Sequence, residues 1–210
     1  MQKITRLNYG PDYCNTYIVG EEGGPVVLID PGYNRDHVLE KYLAKHHEKL
    51  LGILITHGHY DHIAGLKDWT NLETIPVFMG EDDIPCLEDS KLNVSKGLFG
   101  QGFSLEGVNP YPAEDEDEIK LGNYIFTVIA TPYHTRGGVC YFLEEDRQLF
   151  SGDSLFHLGI GRSDLPGSEP SEQANSLHKL AILPKETIVY PGHGPQSNIA
   201  NELAYNPDFH

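Results

Sequence analysis

The chain has 210 residues, 39% of them hydrophobic and 22% charged, with a formal net charge of −16. That length suits one α/β domain with a sizeable core, and the composition is that of an ordinary globular protein. The negative charge argues against non-specific binding to nucleic acid or anionic membrane, whose phosphates would repel it. Cys14, Cys86 and Cys140 are widely spaced, with no CxxC pair. They form no disulfide framework and point to a reducing, cytoplasmic setting. The opening Met-Gln-Lys-Ile-Thr-Arg has no apolar signal-peptide core, and no apolar run reaches membrane-spanning length.

Residues 15–19 and 26–29 read as short strands separated by the turn signal Glu-Glu-Gly-Gly-Pro. Asp30-Pro31-Gly32 breaks the second run. Asp36 is placed to cap a helix on which Leu39, Tyr42, Leu43 and His46 form one stripe. A buried strand over 51–56 opens into Ile-Thr-His-Gly-His-Tyr-Asp-His at 55–62, and a helix is expected to begin within 63–69. The stretch 88–118 is rich in Gly and Pro and predicts a surface excursion lying over a site; its acidic run 114–118 reads as a solvated loop tip. Gly122-Asn123 predicts a hairpin between 119–121 and 124–130, and 139–143 with 148–150 a second one. Ser171 is expected to cap a helix carrying Ala174, Leu177, Leu180 and Ala181, stopped by Pro184. A short buried strand at 188–190 and a closing helix over 198–205 complete the chain. No repeat or linker divides it, so 1–210 is expected to be a single domain.

Polar clusters recur at the ends of the apolar runs. They are Asp30, the group His57, His59, Asp61 and His62, then His134, Asp153 and His193. Side chains at neighbouring strand ends can converge at one edge of a sheet. Five imidazoles and two carboxylates are too many for one four-coordinate ion and suit two divalent ions with positions left for water. Asp153 is able to bridge such a pair. With no cysteine in the set, zinc is the first expectation, with iron or manganese as alternatives. Singly, His134 or His193 would be an ordinary loop histidine; the recurrence at five strand ends argues otherwise.

Thr-His57-Gly-His59-Tyr-Asp61-His62 resembles the HxHxDH signature of metallo-β-lactamase-fold hydrolases. Asp30 in Ile-Asp-Pro-Gly, His134 in Thr-Pro-Tyr-His-Thr, Asp153 in Ser-Gly-Asp-Ser and His193 in Pro-Gly-His-Gly match the remaining motifs in order. The resemblance covers nearly the whole chain. It implies an α/β fold, the αβ/βα four-layer sandwich of two mixed β-sheets with helices on the outer faces. Gly152-Asp-Ser-Leu-Phe156, the run from Gly159 to Gly167 and Tyr190-Pro-Gly-His-Gly-Pro195 look most like the short glyoxalase II-like branch.

That similarity implies that His57, His59 and His134 hold one metal, that Asp61, His62 and His193 hold the other, and that Asp153 bridges. Asp30 would orient the histidine loop. The implied activity is hydrolysis of a small-molecule thioester by a metal-bound hydroxide, with Asp61 as a catalytic group as well as a ligand. Two departures bear on substrate. Tyr133 stands where the family has glycine, and either touches substrate or simply packs; the C-terminal helical domain that binds glutathione has no counterpart in this sequence. Arg162 stands where a basic residue meets an anionic thiol carrier, unless it serves a structural ion pair. Persulfide dioxygenases resemble the chain too, with one iron on the positions of His57, His134 and Asp153, and lactonases share the fold. Common zinc β-lactamases carry cysteine in place of Asp153, and flavodiiron proteins carry glutamate in place of His59. The complete ligand set disfavours an idle metal-binding module. His37, His46, His47, His157, His178 and His210 are given no role.

Overall fold

A computed structural model describes residues 2–8, 14–32, 34, 37–68, 74–98, 100 and 102–209. The first sheet takes its strands in chain order: β1 (Ile4–Leu7), β2 (Thr16–Val19), β3 (Pro25–Ile29), β4 (Lys49–Ile55), β5 (Val77–Gly80) and β6 (Tyr111–Ala113). β1 to β3 are antiparallel neighbours, whereas β3 to β6 run parallel. The second sheet begins with β7 (Glu118–Leu121), β8 (Tyr124–Ala130), β9 (Val139–Leu143) and β10 (Gln148–Gly152). A small ribbon of β11 (Leu155–Phe156) and β12 (Gly159–Ile160) intervenes before β13 (Ile188–Pro191) and β14 (Ser197–Asn198). The order across this sheet is β14-β13-β10-β9-β8-β7. β10 is parallel to β13, and β8 and β10 are both antiparallel to β9. β8, β10 and β13 therefore end on the same side.

Apolar residues sort these sheets into layers. Val27, Ile29 and Leu54 of the first sheet meet Phe126, Val128, Tyr141 and Phe150 of the second in one buried cluster. On the outer face of the first sheet, Val26, Leu28, Ile53 and Ile55 pack on Leu39 and Leu43 of α1 (Val38–Lys45). α2 (Tyr60–Ile63) and α3 (Ser95–Leu98) are single turns beside the ligand loops. Outside the second sheet, Phe142, Leu149 and Val189 pack on Leu177 and Leu180 of α4 (Gln173–Ala181) and Ile199 of α5 (Ile199–Tyr205). Successive strand side chains alternate faces, so strands covered on both faces read as unbroken apolar runs. The result is the expected four-layer sandwich. Among the described residues, no helix is long and apolar enough to cross a membrane.

Gly122 lies at φ +62° in the β7–β8 turn, as the Gly-Asn signal requires. Asn198 caps α5 by accepting a hydrogen bond from Asn201 N at 2.8 Å. Ser171, by contrast, does not cap α4. It sits in a 3-10 turn, Pro170–Glu172, and its hydroxyl donates to Glu169 Oε1 at 2.8 Å, leaving Glu172 at the cap position without a side-chain cap bond. Asp36, Trp69 and His210 lie outside the described residues. Residues 114–118 form an exposed turn leading into β7, while 88–113 is more ordered than its composition suggests, holding α3 and β6. A 3-10 stretch, Glu81–Leu87, precedes it.

Candidate metal centre

Every polar cluster predicted at a strand end sits at the C-terminal end of its strand. Asp30 follows β3, His57 to His62 follow β4, His134 follows β8, Asp153 follows β10 and His193 follows β13. The first two groups come from one sheet and the other three from the second, so the site straddles the top of the sandwich. Cross-sheet bonds hold the two halves in register: Tyr141 Oη donates to Ile55 O at 2.8 Å, and Tyr17 Oη to Pro191 O at 2.7 Å.

Three overlapping groups of ligand atoms result, each within 4.8 Å: His57, His59 and His134; His57, His62 and Asp153; Asp61, His62 and His193. Asp153 lies between the outer two. Its Oδ1 is 3.4 Å from His62 Nε2, and its Oδ2 is 3.5 Å from His134 Nε2 and 3.7 Å from His193 Nε2. Asp61 Oδ2 is 3.1 Å from His193 Nε2 and 3.7 Å from His62 Nε2. All seven predicted side chains are thus brought together: two of the groups are the predicted trios, and the third joins His57 and His62 to Asp153.

Hydrogen bonds decide which ring nitrogen faces the cluster. Asp30 is buried, and its Oδ2 accepts from Thr56 Oγ1 at 2.8 Å and from His62 Nδ1 at 2.9 Å. Because the Thr56 hydroxyl donates to Asp30, it accepts from His57 Nδ1 at 3.2 Å. One aspartate therefore fixes Nδ1 as the donor of both rings and turns each Nε2 toward the cluster. His134 Nδ1 donates to Arg162 O at 2.7 Å, which turns its Nε2 inward to 3.0 Å from His59 Nδ1.

The charge state follows from the same packing. Burial pushes His57 well down and holds His59 at about 3, so both are neutral at ordinary pH, as ligands must be. Burial also opposes charge on His62, yet Asp30, Asp61 and Asp153 around it hold its pKa well above the usual imidazole value. For Asp153 burial is likewise outweighed, by His62, His57 and His193, which keep it well below the usual carboxylate range. His57 Nε2, His62 Nε2 and Asp153 Oδ1 are buried with no hydrogen-bond partner. Three orphaned polar atoms aimed at one point are costly unless a cation joins them. The nitrogen and oxygen donor set fits divalent ions.

Several supporting residues escaped the sequence reading. Asp83 is 2% exposed; its Oδ2 accepts from Gly58 N and Thr135 Oγ1, both at 2.7 Å, and its Oδ1 from Gly137 N at 2.8 Å. It clamps the loop of His57 and His59 to the loop of His134. Its neighbours Glu81 and Asp82 are exposed, and nothing in Glu-Asp-Asp distinguishes the buried member. Asn15, fully buried, donates to Pro191 O and Gly194 O at 2.9 Å and so braces the His193 loop.

The two predicted substrate contacts fare differently. Tyr133 is fully buried, its hydroxyl donates to Ser154 O, and it packs with Cys140 and Leu155. The packing alternative describes it, because a ring held in the core offers no surface to substrate. Arg162 does line the cavity above the metal site. Its guanidinium nevertheless forms a two-pronged pair with Asp164, at 2.5 and 2.8 Å, so most of its charge is met within the rim. Of the histidines given no role, His157 lies 3.6 Å from Glu202, His37 pairs with Glu40 and His46 with Glu22.

A sandwich with a histidine and aspartate cluster at the strand ends of both sheets defines a metal-dependent hydrolase. Residues 9–193 match the metallo-beta-lactamase superfamily, and the chain belongs to that superfamily. It is 32% identical over 206 residues to the "Probable metallo-hydrolase YqgX" of Bacillus subtilis (strain 168), covering 98% of this chain and 96% of that one. A hydroxyacylglutathione hydrolase of Hahella chejuensis is 31% identical over 189 residues, which is 87% of this chain but 63% of the relative. Among solved structures, BLEG-1 B3 metallo-beta-lactamase superposes with a TM-score of 0.91 at 33% identity, covering 98% of both chains. TTHA1623, crystallised in a di-iron-bound form, gives 0.83 at 32% identity over 97% of this chain and 98% of its own.

Proposed function

We propose that the protein hydrolyses an acyl thioester to a carboxylic acid and a thiol, using two divalent ions. The observation that carries this reading is the lining of the site. A cavity of about 390 Å³ opens over the ligands, and its remaining walls are Val94, Phe156, Gly161, Arg162 and Leu165. None of these can donate a proton to a leaving group; Arg162 is held above its ordinary range by its bond to Asp164. A thiolate leaves as a stable anion and needs no donor beyond the ligand side chains themselves, which suits a cavity whose other walls carry no acid. The likeness to a hydroxyacylglutathione hydrolase points the same way.

His57, His59 and His134 would hold one ion, and Asp61, His62 and His193 the other, with Asp153 between them. Bound there, the ions supply Lewis acidity, acidifying water and polarising the substrate carbonyl. Asp61, beside His193 at 3.1 Å, takes up the proton that water releases as it attacks. A C–O bond forms and the C–S bond breaks, with the electron pair departing on sulfur. Asp30 keeps the His57 and His62 imidazoles turned with Nε2 toward the ions.

Metal analysis joined to a substrate panel tests this reading. The expected result is about two ions per chain, with acyl thioesters turned over far faster than a β-lactam or a lactone. A fully loaded protein that hydrolyses no thioester would overturn the reading. One iron per chain with oxygen uptake on a persulfide would replace it by the dioxygenase alternative.

A further inference from the structure

Val94 is a β-branched residue in the left-handed region, at φ +54°, and it is 4% exposed. L residues with a branched Cβ avoid that conformation, so something must hold it there. Asn93 does. Its fully buried side chain donates to Cys86 O at 2.7 Å and Phe103 O at 3.2 Å, and accepts from Ser95 N at 3.1 Å. The Asn93 carbonyl accepts from Tyr60 N at 2.9 Å, between the ligands His59 and Asp61. Ser95 completes the lock by accepting from Phe103 N at 2.9 Å. The segment 93–95 is thus bolted to the ligand loop, and its strained centre lines the cavity over the metal site.

The same cavity is lined by Phe156, whose ring centroid is 6.2 Å from that of His193, and by Leu165. With Val94, these are the three apolar side chains in a lining otherwise made of imidazoles, carboxylates, Gly161 and Arg162. Arg162, the cation on the same rim, is paired with Asp164. An apolar set of this kind does not suit a charged or strongly hydrated group. It suits an alkyl chain lying beside the reacting carbonyl.

We infer that Val94, Phe156 and Leu165 form the subsite for an aliphatic acyl group, and that Val94 sets the chain length accepted. This rests on the thioesterase reading. It also explains the start of the 88–118 excursion, where Asn93 holds Val94 in a conformation it would otherwise leave, so that its isopropyl group closes one wall.

Straight-chain hydroxamic acids, from acetyl to decanoyl, bind metal sites without turnover and are the first probe. Calorimetry on the metal-loaded protein should show affinity rising roughly three- to fourfold per methylene until the chain outgrows the cavity. Asparagine is close to valine in size, polar, and tolerant of positive φ. Val94→Asn should cut the increment below about twofold per methylene, with the thermal midpoint recorded beside it to show that the variant is folded. Val94→Gly relieves the strain and opens the wall, so the preferred chain length should shift upward. Unchanged increments in V94N together with an unmoved optimum in V94G would overturn the subsite. Thioesters of the same acyl series separate the two claims. Hydrolysis without any chain-length dependence sinks the subsite and leaves the thioesterase standing. Val94-dependent hydroxamate binding with no thioester turnover does the reverse.

Discussion

Asp153 and His59 lie 94 positions apart, yet they make one site. On the proposed function, replacing either by alanine removes a ligand to a cation that would lower the barrier by several kcal/mol. Both should therefore lose about a thousandfold or more in kcat/KM, a difference of about 4 kcal/mol. Steady-state kinetics on the two variants checks this, and near-normal activity in Asp153→Ala would disprove the bridging role. Asp83 acts differently, because it touches no ligand atom. Asp83→Ala strands the Gly58 and Gly137 amides and the Thr135 hydroxyl in the interior. At about 1–3 kcal/mol for each unpaired group, it should lose several kcal/mol of stability. The loosened ligand loops should also weaken metal binding by roughly 10- to 100-fold. Competition with a chromophoric chelator, alongside urea unfolding, separates the two effects. Wild-type affinity in a destabilised variant would confine Asp83 to folding.

At the scale of elements, the site depends on how closely strand ends approach. The β10 and β13 ends are so near that a Cβ on Gly192 would stand 2.2 Å from Asp153 Oδ1 and 2.7 Å from His62 Cε1. Gly192→Ala must displace the Asp153 carboxylate or the His62 ring. The expected outcome is loss of about one of two ions per chain, read by metal analysis, with the chelated protein little destabilised beside the chelated wild type. Full occupancy in G192A would show that the carboxylate has room to move. The same crowding separates what could be read from the chain and what could not. Alternation and turn chemistry made β2, β3, β4 and β7 to β10 legible. β5 went unread because its four residues, Val-Phe-Met-Gly, follow a proline and carry no period. The buried member of Glu81-Asp82-Asp83 looked like the exposed ones, since burial depends on the β8–β9 loop arriving from elsewhere.

For the whole molecule, the cluster of unlike charges predicts how stability responds to pH and to chelation. His57 and His59 are held unprotonated in the fold but take up protons in the unfolded chain below about pH 6.5. Their contribution is lost as the pH falls from about 6.5 towards 3, by at most about 1.4 kcal/mol per pH unit for each group. His62 and His193 have raised pKa values despite burial, through the carboxylates beside them. What they contribute is present below about pH 6.5 and is lost as the pH rises through their folded values. The chelated protein should therefore be most stable near neutrality, with urea midpoints lower at pH 4.5 and at pH 8.5. A midpoint that rises or falls steadily across that range would contradict this balance. Restoring metal at about a thousandfold over its Kd should add about 4 kcal/mol.

Ligand identity belonged to the primary structure. Histidine and aspartate placed beside glycine and proline at the ends of apolar runs announce themselves locally, because both the run and the breaker are properties of a few adjacent residues. The seven side chains that converge and the layered fold were legible for that reason. Three things waited for the tertiary structure: Asp83 as a clamp, Tyr133 as core, and Arg162 as a cation already paired with Asp164. Each of these depends on which residue, remote or adjacent, comes to fill the space around a side chain. Val94 is the clearest case. Nothing in Asn-Val-Ser shows that a valine will be forced left-handed; only the carbonyls of Cys86 and Phe103, gathered around Asn93, make it so.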